Sequence, residues 1–320
     1  MSRPVVFVIG APRSGTTLAQ RLLGSHPAIV TSQETDLFCS YVATWRNLWE
    51  RQLPSDEELW ARQRRKGLPA VLTEDRFDAL VNEFVERVYA ATAELDPNAT
   101  TIVDKTPANA LHGELILRYL PSARFVHVIR DGRDVACSML RAKEGWGREW
   151  AEGNIQLAAR NWRRHVEAGR SIVSLTDAYR EVRYEELVSA EALPTLAGLF
   201  SFVGVDASEE ACTAAWTAAG ADSFSGIAWG GEVMRRIGRP QEEPEGFVGE
   251  GRAGAWRKEL GAYGRVQFER HAGALLRELG YASGDWLELK PTVRRVLAAR
   301  LAVARVGGGA KMRIRGALHA

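Results

Sequence analysis

The chain has 320 residues, 46% of them apolar and 26% charged, which suits a soluble globular protein with one large α/β domain or two smaller ones. Its 42 basic and 40 acidic side chains leave a net charge of +2, so no global field recruits nucleic acid or membrane, and any basic function has to be local. The three cysteines, Cys39, Cys137 and Cys212, are scattered and lack CxxC spacing, which excludes a disulfide framework and a cysteine metal site.

Val5–Ile9 is an apolar run without alternation, expected as a strand covered on both faces. It is too short for a signal-peptide core or a membrane span, and a cytoplasmic location is expected. Gly10-Ala11-Pro12-Arg13-Ser14-Gly15 breaks the run. A helix is predicted over Thr16–Leu23, closing at Gly24-Ser25-His26-Pro27, and a second buried strand over Ala28–Thr31. From Asp36 to about Tyr89 the pattern is helical, with Trp45 and Trp49 one turn apart and the charged segment Arg62–Lys66 as an interruption. Thr101–Asp104 predicts the third strand, Gly113–Leu120 a helix, Arg124–Ile129 the fourth strand and Asp131 onward another helix. Val182-Arg183-Tyr184 predicts a fifth strand that leads into a helix from Glu185. Strands separated by helices imply a parallel, doubly wound α/β sheet with helices on both faces.

Residues 1–290 are expected to form one domain, within which Gly226–Gly254 is the candidate for a mobile loop. Residues 291–320 carry seven Lys or Arg and no acid. That tail is open to two readings, a basic arm making weak contact with a membrane surface or a solvated helix with a frayed end.

The loop from Gly10 to Thr17 joins a buried strand to a helix N-terminus, a geometry that directs backbone N–H groups and the helix dipole at an anion. Gly10 and Gly15 allow close approach, while Ser14, Thr16 and Thr17 add hydroxyl donors. The spacing is P-loop-like, nearly GxxxxGK[ST], but Thr16 stands where a triphosphate loop needs lysine, and the cation is Arg13 inside the turn. A kinase also needs Mg²⁺, for which Asp104 and Asp131 are the conceivable ligands. A donor carrying less charge at its transferring end fits better, without metal. A second anion motif follows the fourth strand, where Arg130 leaves the strand end and Ser138 lies two turns along the next helix. A guanidinium fork with a hydroxyl grips a phosphate monoester; an Arg130–Asp134 ion pair is the competing account.

With both motifs in view, the chain resembles the sulfotransferase family that uses 3′-phosphoadenylyl sulfate (PAPS), most closely its tyrosylprotein and carbohydrate branches. Gly10–Thr17 resembles that family's 5′-phosphosulfate loop, and Ile129-Arg130-Asp131-Gly132-Arg133 through Ser138 its 3′-phosphate motif. Arg183-Tyr184-Glu185-Glu186-Leu187 and Gly251-Arg252-Ala253-Gly254-Ala255-Trp256 are weaker matches. The resemblance implies that Arg13, Ser14, Gly15, Thr16 and Thr17 hold the phosphosulfate and that Arg130, Ser138, Arg252 and Gly254 hold the 3′-phosphate. Tyr184 is then near the adenine.

Sulfuryl transfer needs a stabilised leaving oxygen, an in-line acceptor and a base. By the resemblance Arg13 and Lys105 serve the leaving oxygen, and Glu34 in Ser32-Gln33-Glu34-Thr35 is the base. Lys105 is alternatively a solvated strand-end residue, and Glu34 alternatively a helix-capping carboxylate; Asp104, His26 and His127 are lesser base candidates. The sequence departs from the cytosolic small-molecule branch in having Arg13 for its loop lysine, and from the tyrosylprotein branch in having Asp36 for an arginine. Trp45, Trp49 and Trp60 either line an apolar acceptor pocket or pack the core. The acceptor class stays open among small-molecule, carbohydrate, lipid and peptide groups. A small-molecule kinase with an atypical loop and a catalytically inactive nucleotide-binding protein are the alternatives.

Overall fold

The computed structural model describes residues 3–53, 67–219 and 253–296, apart from 285, 288, 290 and 294. Five strands form one sheet in the order β2-β3-β1-β4-β5, every neighbouring pair parallel. They are β1 (Val5–Gly10), β2 (Ile29–Thr31), β3 (Thr101–Asp104), β4 (Arg124–Ile129) and β5 (Tyr179–Arg183).

The unbroken apolar run of β1 has a direct structural reading. Val5, Phe7 and Ile9 enter one core with Phe38, Val85, Ile116 and Phe125, while Val6 and Val8 enter another with Leu22, Leu23, Leu199 and Phe200. A strand buried on both faces cannot alternate in hydropathy, because both sets of side chains meet protein. The first core is covered by helices α2 (Ala43–Gln52), α3 (Glu74–Glu94) and α4 (Gly113–Tyr119). The second lies under α1 (Thr16–Gly24), which starts straight after the loop.

Two long helices follow β4. The first, α5 (Gly132–Glu144), is capped by Asp131, whose side chain accepts the Arg133 N–H at 2.9 Å. The second, α6 (Ile155–Ser171), is capped by Asn154 through the Leu157 N–H. Beyond β5 come α7 (Tyr184–Leu187), α8 (Ala192–Val203), α9 (Glu209–Ala218), α10 (Trp256–Glu259) and α11 (Ala262–Glu278). A third core of Trp162, Trp256, Phe268 and Trp286 joins α5, α6 and α11.

Three expectations are corrected. The helical region expected from Asp36 to about Tyr89, with its break at Arg62–Lys66, is divided further among the described residues: a π-helical stretch Leu37–Val42, then α2, then a 3-10 turn Leu68–Ala70, then α3. Asp36 is outside any helix, with a left-handed φ of 50°. The fifth strand runs over 179–183 instead of 182–184, and Tyr184 opens a helix. Trp60, Arg62–Lys66, residues 226–252 of the expected loop and residues 297–320 of the basic tail lie outside the described residues.

Candidate active site

In an all-parallel sheet every strand delivers its carboxyl end to the same edge, so β1, β2, β3, β4 and β5 present the segments after Gly10, Thr31, Asp104, Ile129 and Arg183 side by side. The edge is stepped. Asp104 is level with Phe7, so β3 stops three residues before β1 does, while Gly10 is level with Val128 of β4.

The loop after β1 is tight. Ser14 N–H donates to Ala11 O at 3.0 Å, and Arg13 takes a left-handed φ of 73°, uncommon for a residue with a Cβ. Gly15 is the N-cap of α1 at φ 96°, and a Cβ there would run into the ring of Tyr184. Glycine is required at that point for both reasons. Ser14 is 1% exposed, and its Oγ is buried without a hydrogen-bond partner among the described residues. A buried hydroxyl in that state fits a loop shaped for an anionic oxygen, since the group is costly unless paired.

The two anion motifs meet directly. Arg13 Nε donates to Ser138 Oγ at 3.1 Å, across 125 residues of sequence. Arg130 donates to Arg13 O at 3.4 Å, and its guanidinium lies 4.1 Å from the centroid of the Tyr184 ring. Tyr184 therefore meets both Gly15 and Arg130. Thr16 is buried and Thr17 half-buried at the start of α1. Gly254 arrives at the same helix: its N–H donates to Asp134 Oδ2 at 2.7 Å, one turn before Ser138. Arg252 lies outside the described residues.

At the β2–β3 end, Lys105 and Glu34 form an ion pair between Nζ and Oε1. Lys105 is 5% exposed, so it is not a solvated strand-end residue, whereas Glu34 is 44% exposed. Glu34 does not cap a helix, because the π-helical stretch begins only at Leu37, after Asp36. Thr35, its neighbour, donates to Asp104 Oδ2 at 2.9 Å. Tyr89 OH (3.1 Å) and Asn109 Nδ2 (3.3 Å) donate to the same carboxylate, and burial pushes Asp104 up from the ordinary range. Asp104 is thus an internal tie for β2, α3 and the turn after β3.

The two histidines are likewise engaged in the fold. His26 Nδ1 accepts the Ala28 N–H at 3.1 Å inside its turn, and its ring packs edge-on against Phe200. His127 lies in the middle of β4 with Nδ1 2.7 Å from Tyr179 OH, and burial pushes it down to about 3. Trp49 stacks on Phe77 with centroids 4.5 Å apart, and Trp45 packs on Phe84, so both belong to the core.

Some of the site escaped the sequence reading. Asp131 is held by Arg133 (Nε–Oδ1 2.9 Å), its N–H donates to Glu185 Oε1 at 3.0 Å, and Tyr281 OH donates to Glu185 Oε2 at 2.9 Å. Burial raises the Glu185 carboxyl, and the Asp131 amide and Tyr281 hydroxyl oppose it. Arg13 also lies 5.1 Å from the Trp146 ring centroid. The signal was present in Arg130-Asp131-Gly132-Arg133-Asp134: four charges in five residues at the end of a buried strand must be paired. The partners come from residues 185, 254, 256 and 281, which local patterns cannot supply.

Residues 4–209 match the sequence model of the Sulfotransferase family. Protein-tyrosine sulfotransferase of Drosophila melanogaster is 29% identical over 140 residues, 44% of this chain and 26% of that protein. Protein-tyrosine sulfotransferase 2 of Gallus gallus is also 29% identical over 140 residues, 44% of this chain and 34% of that protein. The chain therefore spans well under half the length of these curated relatives. Among solved structures, the sulfotransferase domain from the curacin biosynthetic pathway superposes with a TM-score of 0.56 at 18% identity, covering 88% of this chain and 99% of that one. Mouse sulfotransferase SULT7A1 complexed with PAP superposes at 0.50 with 13% identity, over 87% of this chain and 89% of that one. These two likenesses establish the fold. With the family match across most of the sheet, the chain belongs to the sulfotransferase family.

Proposed function

We propose that the chain transfers a sulfuryl group from PAPS to an acceptor hydroxyl or amine, by in-line displacement with Glu34 as the base. The observation that carries this reading is the Arg13–Ser138 hydrogen bond, which brings the β1 loop and the β4–α5 motif to one place. A donor with phosphate at two ends needs two grips at a fixed separation, and a monophosphate ligand does not. The reading is supported by family membership and by relatives named as protein-tyrosine sulfotransferases.

In this mechanism Ser14, Thr16, Thr17 and the first-turn amides of α1 hold the phosphosulfate end, since those amides have no intrahelical partner. Arg130 and Ser138 hold the 3′-phosphate, with Arg252 and Gly254 supporting them, and Tyr184 borders the base. Arg13 stabilises charge growing on the leaving oxygen. Lys105 shares that role and is ion-paired with Glu34. Glu34 then takes the acceptor proton as the sulfur–oxygen bond forms. The exposure of Glu34 leaves room for an acceptor to approach from solvent.

Calorimetry on the purified chain tests the reading. Adenosine 3′,5′-bisphosphate without metal is expected to bind more tightly than ATP with Mg²⁺. The reverse order would replace sulfuryl transfer with phosphoryl transfer by an atypical loop. Binding without turnover across a broad acceptor panel would instead mark an inactive nucleotide-binding protein.

A further inference from the structure

Asp134 and Ser138 stand four residues apart on α5 and share one helix face, their Cβ atoms about 6 Å apart by helix geometry. Ser138 receives Arg13 from the β1 loop. Asp134 receives the chain from the other direction: Oδ2 accepts the Gly254 N–H at 2.7 Å and Oδ1 the Trp256 N–H at 2.8 Å. The carboxylate is 2% exposed, and Arg130 is among the charges that act on it. An uncommitted carboxylate there would repel a phosphate. With both oxygens taken by amides, it instead fixes a distant segment beside the anion-binding groups.

The neighbouring arginine clamps the same segment. Arg133 is 2% exposed, pairs with Asp131 (NH2–Oδ2 2.7 Å), donates to Tyr281 O at 2.6 Å and lies 3.7 Å from the Trp256 ring centroid. Two consecutive residues of α5 therefore hold 253–256 by its amides and by its tryptophan.

We propose that Asp134 is a positioning residue, docking 253–256 onto the α5 face that carries Ser138 and so setting the affinity for the donor's 3′-phosphate without touching the donor. The proposal rests on the sulfotransferase reading above. It predicts a selective defect, because the 5′-end is held by the β1 loop and not by this segment.

The test compares two ligands on the full chain by calorimetry: adenosine 3′,5′-bisphosphate and adenosine 5′-phosphosulfate, which lacks the 3′-phosphate. In Asp134→Asn, where one acceptor oxygen becomes a donor, the Kd for the bisphosphate is expected to rise at least tenfold and that for the phosphosulfate less than twofold. In turnover the loss should fall on KM for PAPS and not on kcat. Equal weakening of both ligands, or of neither, overturns the proposal. Hydrogen exchange on the wild-type chain gives a readout that no misfolded variant can confuse. The bisphosphate should slow exchange at the Gly254 and Trp256 amides and the phosphosulfate should not, since a ligand that needs the docked segment stabilises it. Equal protection by the two overturns it too. If the wild type binds neither nucleotide, the sulfotransferase reading itself falls.

Discussion

At the β1–β4 end of the strand edge, Ser14, Arg130, Ser138 and Tyr184 are each no more than 9% exposed, whereas at the β2–β3 end Glu34 is 44% exposed. The buried end is cross-linked over long sequence distances, by Arg13 to Ser138, Arg130 to Arg13 O and Gly254 to Asp134. The exposed end is likewise tied across the sequence, by Lys105 to Glu34 and Thr35 to Asp104, but its Glu34 carboxylate faces solvent. Under the proposed function this difference separates two tasks. A ligand common to a family of enzymes can be met by a rigid, backbone-shaped cradle, while a group that receives variable acceptors has to face solvent.

The contrast can be broken most severely where the two ends meet in the reaction. Arg13→Ala removes both the leaving-oxygen cation and the link to Ser138, and kcat for sulfuryl transfer is expected to fall by about 10³-fold or more. Steady-state turnover with saturating PAPS measures it; near-normal kcat would remove Arg13 from the chemistry. Glu34→Gln should lower kcat by roughly 10²- to 10⁴-fold and leave bisphosphate affinity within about twofold. A matching loss of donor affinity would show that the two ends are not separate. Arg130→Ala is expected to do the converse, raising the bisphosphate Kd about 10- to 100-fold, the loss of one charge-assisted contact, with a lesser effect on kcat.

The smallest effect is on stability and lies beneath the edge. His127 is pushed down to about 3, first by burial and then by the charges of Arg170, His165 and Arg183. The unfolded chain takes up a proton near the ordinary histidine value, while the folded chain refuses it. Stability conferred by the neutral ring is therefore present above that value and is lost as pH falls towards the folded value. Between pH 7 and pH 5 this amounts to about 2 kcal/mol. Urea unfolding of wild type and His127→Gln at the two pH values should show the variant losing less stability on acidification.

The donor end was legible because its signals are local. A strand, a glycine turn and a helix start lie within residues 5–24; β1 follows from an unbroken apolar run, and β3 and β4 from short segments rich in apolar residues. β5 was misplaced because it is an edge strand whose only fully buried residue is Val182, so Tyr179 and Glu181 disguise its start. The Glu34–Lys105 pairing was anticipated as two separate roles and not as one contact, since 71 residues separate them. The Glu185 and Tyr281 partners of the local Asp131–Arg133 pair were illegible for the same reason, being brought there by the tertiary fold.

The π-helical stretch Leu37–Val42, just past Glu34, has a consequence for how such a chain can diverge. A π-helix accommodates residues that a regular helix of the same span would not hold. Removing one residue from 37–42 would let the segment relax to ordinary winding and turn everything beyond it by about 100° around the axis. Trp45 would then leave Phe84, while the loop from Gly10 to Thr17 kept its course. Length variation at this one place would therefore repack the core beyond β2 and leave the β1 loop as it is.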